Sequence, residues 1–205
     1  LLALTLCFAP ALPCRAQLEP AIVPANAYAS AIRAVNPHLR AGLSRAFADA
    51  LLANSRRNHV DPRLVMAVVT VESHWNARAV SIHGAEGLGQ LKPGTARELG
   101  VNPWSARGNL RGITLYLHHL LSLFASSRQA MREAIAGYNA GPYAVTRAGG
   151  VPARAETRSY VVKVLAQLHA FKARLSLNPT VDAVATDLAA AQVLQANQTA
   201  YWGVH

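Results

Sequence analysis

The sequence predicts a mainly α fold: a helical bundle around one central apolar helix, with a small loop or hairpin region beside it. Three observations predict this. Apolar residues recur at three- and four-residue steps over long stretches. Alternating strand patterns are scarce. Glycine gathers in one short segment, "SIHGAEGLGQLKPG", where four of them fall within residues 81–94. That is too many for a helix interior and suits tight turns or close approach of backbone to a ligand.

The opening "LLALTLCFAPALPCRAQ" has the apolar core of a secretory signal, with Cys14 and Ala16 at the two small-residue sites that precede a cleavage point. A run of about 12 apolar residues, broken by Pro10, falls short of the roughly 20 that a membrane span needs. Residues 1–16 are therefore expected to be a signal remnant, with a short anchor or a lipidated Cys14 as alternatives. Residues 17–29 are expected to be a linker, 30–176 a single domain, and 177–205 an alanine-rich extension beginning at the Asn178-Pro179 break. Both cysteines leave with the signal, so no disulfide or thiol chemistry is expected, which suits export into a bacterial envelope.

Within the domain, "NPHLRAGLSRAFADALLAN" places Pro37 at a helix start and Leu39, Leu43, Phe47 and Leu51 along one stripe. "NLRGITLYLHHLLSLF" carries Leu110, Ile113, Leu117, Leu120, Leu121 and Phe124 on one face. "ETRSYVVKVLAQLHAFKARL" does the same with Val161, Val164, Leu165, Leu168, Phe171 and Leu175. These are core-building helices. "VDPRLVMAVVTVESHW" announces a further one, with Asp61 as N-cap, Pro62 in the first turn and no breaker before Asn76. Its interior is apolar nearly all round, so it belongs inside the bundle.

That helix ends on a carboxylate. Glu72 has Val68 and Val69 one turn behind it and Trp75 three residues ahead, so its helical neighbours supply no countercharge. Desolvation and the negative end of the helix dipole both act to raise its pKa. A carboxylic acid still protonated near neutral pH can give a proton to a leaving oxygen. The bland alternative is a Glu that caps or salt-bridges at a helix end.

The net charge is +10, and 17 of the 20 basic residues are Arg. Such a chain is drawn to polyanions. The basic residues are scattered, however, and aromatics make up only 6%, which argues against a nucleic-acid groove. Anionic cell-wall polymer suits an exported protein better. His118 and His119 are adjacent and point to different sides of a helix, and the remaining histidines show no ligand spacing, so neither a metal nor an organic cofactor is expected.

Four segments, "ESHWNARAVSIHGAEGLGQLKPGTA", "NLRGITLYLHHLL", "AIAGYNAGPYAV" and "GVPARAETRSYVVKVL", together resemble the soluble lytic transglycosylase (SLT domain) family, in its order and approximate spacing. The resemblance covers roughly residues 30–175. It implies a goose-type lysozyme-like fold (α+β) with a substrate groove. It also implies cleavage of the β-1,4 bond between N-acetylmuramic acid and N-acetylglucosamine in peptidoglycan, closing a 1,6-anhydro sugar without water. In that scheme Glu72 is the lone acid/base, since the sugar's own C6 hydroxyl removes the need for a second carboxylate. Glu86, flanked by Ala85 and Gly87, reads as a solvated loop residue.

The resemblance also places substrate-binding positions. Ser73 follows the acid, with a hydroxyl that bonds back to helix carbonyls as the alternative. Ser81 falls where the family has a hydroxyl near the reacting sugar, and Gln90 offers an amide to an N-acetyl or peptide group. "GLGQ" has Gly89 where Met is usual, which implies lost apolar lining in the groove. In "GYNAG", Tyr138 is expected to reach the carboxyl or the substrate, while Asn139 either contacts substrate or closes the turn before Gly141. Glu156 and Tyr160 match groove residues, Glu156 serving equally as a favourable charge at a helix start. The partner expected is the glycan strand of peptidoglycan, with a secretion or conjugation apparatus as a further one, and not nucleic acid. The protein is expected to be a periplasmic or secreted monomer. A hydrolytic muramidase on the same scaffold, or a wall-binding or assembly protein without turnover, are the alternatives.

Overall fold

The computed structural model describes residues 23–176. The signal expected over 1–16 and the extension over 177–205 lie outside the described residues. Among the described residues eight helices follow in order: α1 Ala25–Val35, α2 Ala41–Arg57, α3 Pro62–Ser73, α4 Pro93–Glu98, α5 Ala106–Leu123, α6 Ala130–Ala140, α7 Pro142–Ala148 and α8 Ala155–Arg174. The described residues contain no strand, only two isolated antiparallel bridges, Val80 with Glu86 and Glu86 with Leu91. The small loop region is therefore a pinched turn rather than a hairpin.

Helix α3 is the axis of the bundle. The Asp61 carboxylate accepts the Arg63 backbone N–H at 2.8 Å and Pro62 occupies the first turn, as its sequence foretells. Every residue from Leu64 to Thr70 is buried, and α8, α2 and α5 pack around the helix. Burying Leu64, Val65, Met66, Val68 and Val69 contributes roughly 1.5–3 kcal/mol per side chain, which overrides the modest helix propensity of the valines.

Helices α5 and α8 present the expected stripes: Leu110, Ile113, Leu117, Leu120 and Phe124 from one, Val161, Val164, Leu168 and Phe171 from the other, all buried. Helix α2 differs in two respects. It begins at Ala41, four residues after Pro37, and Leu43 is 45% exposed. A four-residue step turns 400° on an α-helix, so a stripe read at that spacing drifts off the core within two turns. The buried face is set instead by Ser44, Phe47, Ala48 and Leu51. The linker expected over 17–29 also ends early, because Ala25 starts α1 and Tyr28 and Ala29 are buried where α1 packs on α2.

Candidate active site

Glu72 occupies the last turn of α3, and the chain stops the helix abruptly just beyond it. His74 and Trp75 both adopt left-handed backbone, with φ 50° and 64°. Each such non-glycine residue costs about 1–3 kcal/mol and needs compensation nearby. Trp75 supplies it: the ring is fully buried, stacks on Phe47 at 6.0 Å between centroids, and donates its indole N–H to Thr70 Oγ1 at 3.2 Å. Asn36 Nδ2 donates to the His74 carbonyl at 3.1 Å. These contacts fix the helix end and with it the backbone that carries Glu72.

The half-buried Glu72 carboxyl has one hydrogen-bond partner among the described residues, the Tyr160 hydroxyl, which donates to Oε1 at 2.6 Å from α8. Burial pushes the Glu72 pKa from an ordinary 4.5 up to about 7, against the opposing pull of that hydrogen bond. Among the described residues, no carboxylate and no cation is paired with it. Tyr138 is close enough for the Glu72 charge to act on it, and burial raises both Tyr138 and Tyr160 well above 10, so both stay protonated donors.

Beside this carboxyl, the glycine-rich loop is pinned from three helices. Ser73 Oγ at the end of α3 donates to the Leu88 carbonyl at 2.7 Å. Asn109 on α5 is fully buried; its Oδ1 accepts the Gly89 N–H at 2.8 Å and its Nδ2 donates to the Glu86 and Pro103 carbonyls at 2.9 and 2.8 Å. The Tyr138 hydroxyl on α6 donates to the Gly89 carbonyl at 2.8 Å. The Tyr116 ring lies 5.3 Å from that of Tyr138. A pre-set carboxylic acid beside a braced loop is suited to proton transfer onto a bound ligand.

Residues 49–161 match the family model described as the Transglycosylase SLT domain. The chain belongs to that family. It is 34% identical over 118 residues to a transglycosylase of Enterobacteria phage PRD1, covering 57% of this chain and 41% of that one. It is 31% identical over 153 residues to the soluble lytic murein transglycosylase of Salmonella typhimurium, covering 63% of this chain and 23% of the relative. The chain thus spans less than half the length of either relative. Among solved structures it superimposes on an inactive mutant of the lytic transglycosylase Slt from Pseudomonas aeruginosa with a TM-score of 0.54 and 26% identity, over 74% of this chain and 28% of that one. The mainly helical, lysozyme-like SLT architecture expected from the sequence is the one observed.

In this SLT domain the expected site residues divide into two groups. Glu72, Tyr160 and Tyr138 come together, but with the tyrosine roles exchanged. Tyr160, expected merely to line the groove, is the residue on the carboxyl, whereas the Tyr138 hydroxyl is used on Gly89. Ser73, Ser81 and Gln90 brace the loop. Ser81 Oγ accepts the Ala85 N–H at 2.9 Å, and Gln90, whose backbone φ is 50°, donates its side-chain NH2 to the Ala79 and Gly87 carbonyls at 3.1 and 3.0 Å. Asn139 Oδ1 accepts from Thr157 Oγ1 at 3.0 Å, tying the end of α6 to the start of α8, and Glu156 is exposed in the first turn of α8. Glu86 is half-buried in the loop, its backbone held in both bridges.

Gly89 also corrects an expectation. The position is buried, and a Cβ there would overlap Ile113 Cγ1 and lie 2.8 Å from the Tyr138 hydroxyl. Ile113 from α5 fills the volume, so the glycine reflects a packing exchange inside the protein and not a widened groove. Asn109 is the residue that sequence reasoning missed. Its signal was present: a lone amide four residues before Ile113, on the apolar stripe of α5. Within the described residues no group of three His, Cys, Asp or Glu could hold a metal ion, and no helix is long and apolar enough to cross a membrane.

Proposed function

We propose that this SLT domain is a peptidoglycan lytic transglycosylase acting in the bacterial cell envelope, with Glu72 as its single acid and base. The protonated Glu72 carboxyl gives its proton to the glycosidic oxygen between N-acetylmuramic acid and N-acetylglucosamine, and the C1–O bond breaks. The C6 hydroxyl oxygen of the same muramic acid residue then bonds to C1, and its proton returns to Glu72. The products are a 1,6-anhydro end and a new N-acetylglucosamine end, with no water consumed. What carries this reading is a half-buried carboxyl at the end of α3 whose one hydrogen-bond partner among the described residues is the Tyr160 hydroxyl, with no second carboxylate paired with it there; burial pushes its pKa up to about 7. Two-carboxylate glycosidases need the second group as nucleophile or as base for water, and an internal hydroxyl dispenses with it. Tyr160 orients the carboxyl and stabilises its anion after the first proton transfer. The family membership and the lytic murein transglycosylase name of the Salmonella relative support the same substrate class.

The test is digestion of purified peptidoglycan in 18O-water followed by mass spectrometry. Anhydro ends free of the label are expected from the wild-type protein and none from Glu72→Gln. Labelled reducing ends would replace this reading with a hydrolytic muramidase on the same scaffold, and lysis by the Gln variant would remove Glu72 from the reaction.

A further inference from the structure

Where α6 passes into α7 and α8 begins, an exposed aromatic and two free cations stand together. Tyr143 is 76% exposed at the start of α7, and the Arg147 guanidinium, one turn along, lies over one face of its ring at 5.8 Å from the centroid. Arg147 also lines a surface pocket of about 470 Å3 that it shares with Pro152 and with Arg154 at the N-cap of α8; no Asp or Glu lines it. Neither arginine has an ion pair among the described residues.

This surface is joined to the Glu72 site through short stretches of chain. Tyr138 lies five residues before Tyr143 across the α6–α7 junction, and Tyr160 is six residues, about 9 Å of helix rise, beyond Arg154. The Asn139–Thr157 hydrogen bond locks the two segments together. An exposed tyrosine held by a cation on one face leaves the other face for the C–H-rich face of a sugar ring, and a guanidinium pair offers forked N–H donors matched to carboxylates.

We infer that Tyr143, Arg147 and Arg154 form a subsite for a saccharide that carries a peptide carboxylate, the sugar stacking on Tyr143 and the carboxylate meeting the two arginines. The inference rests on the proposed substrate, and it makes this domain a reader of peptide-bearing strands as opposed to bare glycan.

Binding is measured by fluorescence anisotropy on labelled soluble glycan strands, with their peptides and after amidase removal of them. Working in the Glu72→Gln background separates this test from turnover. The parent binds peptide-bearing strands more tightly. Adding R147A and R154A together lowers that preference about tenfold, while R57A with R107A, which removes two charges from a different pocket, changes it less than twofold. Adding Y143A instead weakens both kinds of strand by a similar factor. The inference is overturned if the Arg147 and Arg154 double change leaves the preference intact, if the distant pair lowers it equally, or if Y143A alters neither affinity. Failure of the proposed reaction would appear separately, as missing anhydro ends from the wild-type protein.

Discussion

Replacing Glu72 by Gln should stabilise the folded domain, and the gain should grow with pH. In the folded state the carboxyl holds its proton up to about 7, whereas its ordinary value is 4.5. A folded-state pKa raised above the unfolded one favours the fold fully below the unfolded value, and this contribution is lost as pH climbs through the folded value. Ionising Glu72 in its desolvated niche therefore costs stability at pH 8 that Gln does not lose. With about 1.36 kcal/mol per pKa unit, the shift from 4.5 to about 7 corresponds to about 3 kcal/mol. Gln retains an amide oxygen to accept from Tyr160, so that hydrogen bond does not confound the comparison. The assay is urea unfolding of both proteins from pH 4 to 8.5. Titration of all other groups cancels in the difference, so the stability gap should be flat below about 4.5, widen until about 7 and then level off. A gap that stays constant over this range would refute the placement of Glu72 in a desolvating site.

The remaining predictions concern the supports of that carboxyl. Tyr160→Phe removes the interaction that lowers the Glu72 pKa, so the alkaline limb of the pH–rate profile should move upward, with kcat reduced; an unmoved limb would show that the hydroxyl does not act on the carboxyl that sets the limb. Gly89→Met should be destabilising by about 1–3 kcal/mol through collision with Ile113, and Ile113→Ala in the same chain should recover part of the loss; thermal melts showing no recovery would refute the packing exchange. Asn109→Ala leaves the Gly89 N–H and the Glu86 and Pro103 carbonyls without this partner, and should cost about 3 kcal/mol or more, read by denaturant unfolding.

The legible parts of this protein were those with local causes. Asp61, Pro62 and the apolar run after them specify a buried helix within a dozen residues, and Glu72 stands out because the charge interrupts that run. The motif order carried the family. What the sequence could not yield was which groups meet across the fold. Tyr160 reaches Glu72 over a separation of 88 residues, and nothing near either residue announces the other. For Ser73 and Gln90 the sequence offers a ligand contact, and for Ser73 equally a bond to backbone carbonyls, because a polar side chain carries no mark of its partner. Their partners are the Leu88, Ala79 and Gly87 carbonyls of a turn whose path is fixed only in three dimensions. Leu43 shows the limit of periodicity, which gives the phase of a stripe but loses it where the spacing exceeds 3.6 residues. Gly89 was misread for a related reason: its neighbour Ile113 comes from another helix.

Carbon-13 NMR of the glutamate side-chain carboxyls tests the central claim most directly, with Glu72 assigned by its loss in Glu72→Gln. A resonance titrating with a midpoint of about 7 is expected. A midpoint near 4.5, that of a carboxyl open to water, would contradict that claim.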